Sequence, residues 1–212
     1  IFVIEDASHS MGSSYLHGGR THNCGDGSHA DIATFSFHPV KHITTGEGGA
    51  VMTNNGEIAR KVNSLSSHGL ERNQTMFSEE RRQGKWVYDA AELGFNYRMT
   101  DIQAALGASQ LKKVNQFKAR RRKIVNYYNE NLDGIEELIL PYEKEGVDSN
   151  FHIYVIQIKK NRYFDRYDIF SALEERCYKP MVHYIPVHLL SYYRQKYGFK
   201  PGDYPISEKY YQ

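Results

Sequence analysis

Four consecutive apolar residues, Ile1-Phe-Val-Ile4, run directly into Glu5 and Asp6. A short apolar run without polar alternation is the signature of a strand buried on both faces of a parallel sheet, and such a strand requires neighbours on each side. No turn or cap precedes it and no initiator Met opens the chain, so the sequence is expected to start inside a domain, as a fragment would. Asp6 then falls at the carboxyl end of a strand, where open α/β sheets receive their ligands. The small residues from Ala7 to Gly12 are expected to begin a helix.

Beyond this point the pattern alternates. Residues Ser13 to His29, rich in Gly and His, read as a loop. Ala33–Phe37 and Ala50–Thr53 read as short strands, with a Gly-rich turn between them. Glu57 to Ser67 has the apolar spacing of a helix. Residues Glu71 to Lys85 are charged and aperiodic, which predicts an exposed excursion. A helix capped by Thr100 is expected to run through Arg120-Arg-Arg-Lys123 to Leu132. A strand (His152–Ile158), a helix (Tyr167–Arg176) and a strand (Pro180–Tyr184) then make a small α+β unit. The order predicts an α/β large domain over residues 1–117 and a small α+β domain over 118–212.

Basic and acidic residues nearly balance, 27 against 25, so no global field recruits nucleic acid or an anionic membrane. The run Arg120–Lys123 lies on a helix with alternating apolar positions and no aromatic platform, which reads as a solvated face. Two distant cysteines, Cys24 and Cys177, read as free thiols of a reducing compartment, with the cytoplasm as the expected location. The cluster His17, His22, Cys24 and His29 fits no closed four-ligand spacing, so no metal is expected.

Lys41 lies between an apolar strand and Thr44-Thr-Gly-Glu-Gly-Gly49, whose glycines permit close backbone approach to a flat ligand. A lysine there, an aspartate at a strand end and a nearby Ser36 hydroxyl match the three demands of pyridoxal phosphate: an amine for the aldehyde, an anion for the ring nitrogen and donors for the phosphate. Each residue also has an ordinary reading, as a surface charge, a helix cap and a turn hydroxyl. Composition and spacing leave both readings open.

Three motifs carry more. Glu5-Asp-Ala-Ser-His9, Phe35-Ser-Phe-His-Pro-Val-Lys41 with Gly46-Glu-Gly-Gly49, and Gly94-Phe-Asn-Tyr-Arg-Met-Thr-Asp-Ile-Gln-Ala-Ala-Leu-Gly107 resemble, in the same order, the DegT-type sugar-nucleotide aminotransferases. The likeness continues through Ser149–Tyr154, Val182–His188 and Gly202–Pro205, so it covers essentially the whole chain. It implies the C-terminal part of a fold type I transferase, with a three-layer αβα large domain and an incomplete small α+β domain. It implies pyridoxal 5'-phosphate as cofactor, Lys41 as its Schiff-base lysine and Asp6 as the carboxylate at the pyridine nitrogen. His9 would touch the ring or its phenolic oxygen, and Ser36 would bind the phosphate. Asn96 would reach the phosphate in a neighbouring subunit, making a homodimer with a shared active site.

Within the family the chain looks most like the branch that aminates a UDP-linked 4-keto-6-deoxy-N-acetyl sugar, with glutamate as donor, toward pseudaminic acid. In that branch the positions of Met181, Val182, His183 and Tyr184, and of Tyr193, line the sugar-nucleotide site. Related branches acting on 4-keto sugars of the bacillosamine, legionaminic acid or perosamine type, and a non-catalytic remnant, are the alternatives. The family's dehydratase branch has His in place of the lysine, and Lys41 argues against it. The family's N-terminal portion and C-terminal strand and helix are missing from the chain.

Overall fold

The computed structural model describes residues 1–71, 84 and 86–212. The stretch expected to form an exposed excursion, Glu71 to Lys85, lies outside the described residues except for residues 71 and 84.

The first strand, β1 (Ile4–Asp6), starts later than the apolar run that announces it. It pairs in parallel with β4 (Ile32–Ser36), with Asp6 opposite Thr34. Between them lies a hairpin, β2 (Ser14–His17) and β3 (Arg20–Asn23). The first part of the expected loop is therefore a hairpin, because Gly18 and Gly19 take the positive φ that a tight reversal needs. The residues after Asp6 form turns rather than the start of a helix, closed by Ser10 N–H on the Ala7 carbonyl and Ser13 N–H on that of Ser10.

β5 (Gly49–Met52) lies antiparallel to β4, completing the sheet order β1-β4-β5. β1 is thus an edge strand among the described residues, and Ile1, Phe2, Val3 and Ile4 are exposed rather than buried on both faces. Helix α1 (Gly56–Ser66) starts at Asn55, whose side chain accepts from the Glu57 and Ile58 N–H groups. A short pair, β6 (Leu70–Glu71) and β7 (Asp89–Ala90), follows. Helix α2 (Asp101–Leu111) carries the capping box of Thr100 and Gln103. The single long helix expected from Thr100 is interrupted at Lys112–Lys113, and α3 (Val114–Leu132) is a separate helix.

Two more short strands, β8 (Leu138–Ile139) and β9 (Val147–Asp148), precede β10 (Gln157–Ile158). β9 joins the hairpin to give the order β3-β2-β9, and β8 pairs with β10. The chain then forms α4 (Arg166–Glu175), a 3-10 turn at Val187–Leu189, α5 (Ser191–Tyr197) and α6 (Pro205–Tyr211). Asp165 and Asp168 cap α4 reciprocally. Of the run expected as a strand from His152 to Ile158, two residues pair, and the expected strand Pro180–Tyr184 does not form.

Two compact units result, Ile1–Tyr127 with Glu143–Ile153, and Tyr128–Tyr142 with Tyr154–Gln212. α3 divides between the two units after Tyr127. The reason is electrostatic. Lys118 of α3 donates to the Gly12 carbonyl (2.7 Å) and to Asp148 (2.6 Å), while Arg122 forms a bidentate pair with Glu143 (2.7 and 2.8 Å), so the first half of α3 is anchored in the first unit. Arg121 also donates inward, to the His152 carbonyl (3.1 Å), and the expected solvated basic face is in part a set of anchors.

Candidate active site

The first unit places Asp6 at the end of a strand and Lys41 on a loop. Asp6 ends β1, and its carboxylate accepts the Ser8 N–H at 3.1 Å. The Ser8 side chain and backbone hydrogen bonds hold its pKa below the ordinary carboxylate value, and the charges of His9 and Lys41 act in the same direction. Asp6 therefore stays ionised at neutral pH, with two basic side chains in electrostatic reach.

Lys41 is half-buried on the loop between β4 and β5. That loop is tied down at many points. Thr44 Oγ1 donates to the Phe37 carbonyl (3.0 Å), Thr45 Oγ1 to the Glu47 carbonyl (2.8 Å), and Gln103 of α2 donates to the Glu47 carbonyl (3.0 Å). Gly107 of α2 lies so close that a Cβ there would meet Thr45 Cγ2 at 2.8 Å. Gly49 sits directly against β4, where an added Cβ would meet the Phe35 carbonyl oxygen at 2.6 Å. Ser36, paired with Gly49 at the end of β4, presents its hydroxyl to the His38 N–H at 3.5 Å.

Beneath these loops lies a polar cluster that sequence reasoning missed. His42, next to Lys41, is buried at 6% exposure, and Asn150 at 3%. The His42 Nε2–H donates to the Asn150 carbonyl (3.1 Å), and since a carbonyl cannot donate, the hydrogen belongs to Nε2. Asn150 Nδ2 donates to the carbonyls of His9 (2.8 Å) and Met11 (2.9 Å). The His152 ring stands 4.3 Å from that of His9 and 5.2 Å from that of His42, with its buried Nδ1 unpartnered among the described residues. Burial first, then the charges of His9, His42, Lys41 and Arg121, lowers its pKa to about 4. His42 is also lowered, mainly by burial. Their sequence signals were faint: one adjoins Lys41, and the others sit in the motif Ser149–Tyr154.

The remaining expected residues lie elsewhere. Asn96 is exposed on a loop that bridges to Ser67, between Leu93, Phe95 and Tyr97, whose side chains are exposed and whose two rings stack at 4.9 Å. In the second unit, Met181 and Tyr184 are exposed and Val182 lines a cleft of ≈ 500 Å³ with Lys160, Asp165, Arg166, Tyr167, Phe170 and Gln212. His183 packs edge-on against Tyr184 at 4.2 Å, and half-buried Tyr193 stands among the rings of Tyr192 and Tyr197. Among the described residues, no group of three or more His, Cys, Asp or Glu is placed to hold a metal ion, and no helix is long and apolar enough to cross a membrane.

The profile of the DegT/DnrJ/EryC1/StrS aminotransferase family matches residues 1–212. The chain is 39% identical over its full length to an uncharacterized protein of Methanocaldococcus jannaschii, MJ1066, covering 53% of that protein. It is 36% identical, over 92% of its length and 48% of the relative, to the UDP-4-amino-4,6-dideoxy-N-acetyl-beta-L-altrosamine transaminase of Campylobacter jejuni. Its fold superposes with a TM-score of 0.83 on the PLP form of the putative sugar aminotransferase Spr1654 from Streptococcus pneumoniae, at 30% identity, over all of this chain and 51% of that one. The chain thus spans about half the length of the curated relatives it matches. The mixed α/β architecture expected from the sequence, part of a fold type I transferase, is the one found.

Proposed function

Because the chain belongs to the DegT/DnrJ/EryC1/StrS aminotransferase family, we propose that the protein transfers an amino group from glutamate to the C4 ketone of a UDP-linked 4-keto-6-deoxy-N-acetylhexosamine, toward pseudaminic acid, using pyridoxal 5'-phosphate. The observation that carries this reading is the joint placement of an ionised Asp6 with His9 and Lys41 in electrostatic reach of it.

These residues fit that cofactor. When bound, it supplies an aldehyde for an amine and a protonated ring that accepts electrons. Lys41 Nζ is the amine that holds the aldehyde carbon. When not holding the aldehyde, the same nitrogen would carry the proton from the donor carbon. Asp6 keeps the ring nitrogen protonated, a task for which a lowered carboxyl pKa is suited. His9 would touch the ring or its phenolic oxygen, and Ser36 Oγ, at the strand end, would bind the phosphate. The glycines of the loop leave room for a flat ligand.

Asn96, exposed among apolar side chains, supports a homodimer in which it reaches the cofactor phosphate of the other subunit. Exposed apolar patches of this kind mark protein–protein contacts. In the second unit, Met181, Val182, His183, Tyr184 and Tyr193 contact the sugar nucleotide. The Campylobacter jejuni relative, named for a UDP-linked 4-amino-4,6-dideoxy sugar, supports the choice of substrate. We place the protein in the cytoplasm.

Lys41→Arg in the full-length protein is expected to lose about 10³-fold or more in turnover, together with the absorbance of the lysine-bound cofactor. Near-native transamination by this variant would overturn the assignment. A turnover panel of UDP- and dTDP-linked 4-keto sugars separates the pseudaminic acid reading from its relatives: preference for a perosamine- or bacillosamine-type substrate would reassign the sugar and leave Lys41 in place.

A further inference from the structure

The carboxylate for the ring ends a strand and the amine for the aldehyde sits on a loop, and chemistry at this site depends on the distance between them. One buried side chain spans the gap. Asn150 touches the turn that follows Asp6 through two donated hydrogen bonds, to the carbonyls of His9 (2.8 Å) and Met11 (2.9 Å). Its backbone carbonyl receives His42 Nε2–H (3.1 Å), from the residue adjoining Lys41. Its backbone N–H donates to Ser13 Oγ (3.0 Å), and its Oδ1 accepts the His152 N–H (3.1 Å).

Every polar group of Asn150 is thus engaged, and the residue is 3% exposed. The demand is specific to asparagine. Aspartate would set a carboxylate oxygen against two carbonyl oxygens, alanine would leave both carbonyls and the His152 N–H without their partner, and glutamine is one methylene too long for the same frame. Asn150 is itself held in place, since Arg122 donates to the Ser149 carbonyl (2.9 Å) and Glu143 accepts the Ser149 N–H (2.8 Å).

We infer that Asn150, with His42, is a positioning residue that fixes the Asp6–Met11 turn relative to the Lys41 loop, and so sets the separation of the ring-nitrogen carboxylate from the Schiff-base amine. This rests on the functional reading above. Neither residue touches the reacting atoms.

The experiment uses the full-length protein with and without pyridoxal phosphate. Asn150→Ala and Asn150→Asp are expected to lower kcat about 10- to 100-fold, with a smaller change in KM, because misplacement on the ångström scale costs that much. They are also expected to move the midpoint of the pH titration of the lysine-bound cofactor's absorbance. His42→Ala should behave alike, His42→Gln, which keeps a donor near the Nε2 position, should recover most of the loss, and the double variant should lose little more than either single one.

In the cofactor-free protein, hydrogen exchange of residues 7–13 should speed up in Asn150→Ala. A thermal shift with an unmoved absorbance midpoint and unchanged kcat would reduce Asn150 to a structural residue and overturn the inference, as would unchanged exchange. If Asn150→Ala fails to fold, the comparison of His42→Ala with His42→Gln decides: equal losses in the two overturn the inference. If the unsubstituted protein shows no absorbance that depends on Lys41, the functional reading fails instead, and the exchange measurement still decides whether Asn150 ties the turn.

Discussion

The first unit holds two groups of histidines built on different plans. His9, His42 and His152 gather under the Lys41 loop, joined by ring contacts of 4.3 and 5.2 Å and wired through Asn150 to the backbone of two loops. His17, His22 and His29 gather on the β2–β3 hairpin with comparable ring spacings, 4.7 to 6.4 Å. There the polar contacts are a Tyr15 hydroxyl on His29 Nδ1 (2.7 Å) and His22 near Asp26 (3.7 Å), and His17 and His29 are exposed. Similar residues at similar distances do different things because one group is wired through the buried side chains of His42 and Asn150, although His9 itself is exposed like His17 and His29. Around buried His42 and half-buried His152 a charge is costly and each hydrogen bond is a constraint, whereas on the hairpin water replaces any partner that is lost.

The sharpest test of this contrast is pH. Burial and the surrounding basic groups His9, His42, Lys41 and Arg121 lower the His152 pKa from 6.5 to about 4. Between these values the unfolded chain binds a proton that the folded chain refuses. Stability from this residue is therefore complete above 6.5, falls as pH drops, and is lost by about 4. His152→Leu removes the group, so its unfolding temperature should fall less between pH 7 and 4.5 than that of the unsubstituted protein. At pH 7, where a neutral ring with an unpartnered nitrogen is replaced by an apolar side chain, the difference should be within about 1 kcal/mol. Parallel pH profiles for the two proteins would break the contrast.

Much of the fold near the site was legible in the sequence. Thr100 announced the capping box that starts α2, the apolar spacing of Glu57–Ser67 announced α1, and the strands flanking Lys41 were found within a residue or so. Asp6 at the end of β1 and Lys41 between β4 and β5 stand where the sequence placed them. The exposure of Ile1–Ile4 was not, since apolarity records what a strand is built to bury and not whether a neighbour is there. Nor was the hairpin, whose polar and histidine-rich strands lack alternation. Asn150 was invisible as a keystone because its partners His9, Met11 and His42 lie 141, 139 and 108 residues away, and no local pattern encodes such contacts. The Pro180–Tyr184 run had strand-like composition, but no strand pairs with it among the described residues.

A smaller effect is expected on the hairpin. Tyr15→Phe deletes the hydroxyl hydrogen-bonded with His29 Nδ1, and the cost should be about 0.5–1 kcal/mol in chemical denaturation, the worth of a single neutral hydrogen bond open to water. A loss several times larger would mean that the hairpin cluster is as constrained as the buried one.

The smallest effect belongs to His17. It is exposed at the end of β2, its ring meets those of His22 (6.4 Å) and His29 (5.0 Å), and the chain reverses immediately after it through Gly18 and Gly19. His17→Ala removes ring contacts in water and leaves the turn geometry to the glycines, so stability should stay within about 0.5 kcal/mol and turnover of the full-length protein should be unchanged. The turnover measurement carries the weight. A stability change alone would say only that the rings pack better than their exposure suggests, but a tenfold fall in turnover at unchanged stability would assign the hairpin histidines to the functional surface. The wiring through Asn150 would then no longer separate the two clusters, and the distinction would have to rest on what each one touches in the full-length protein.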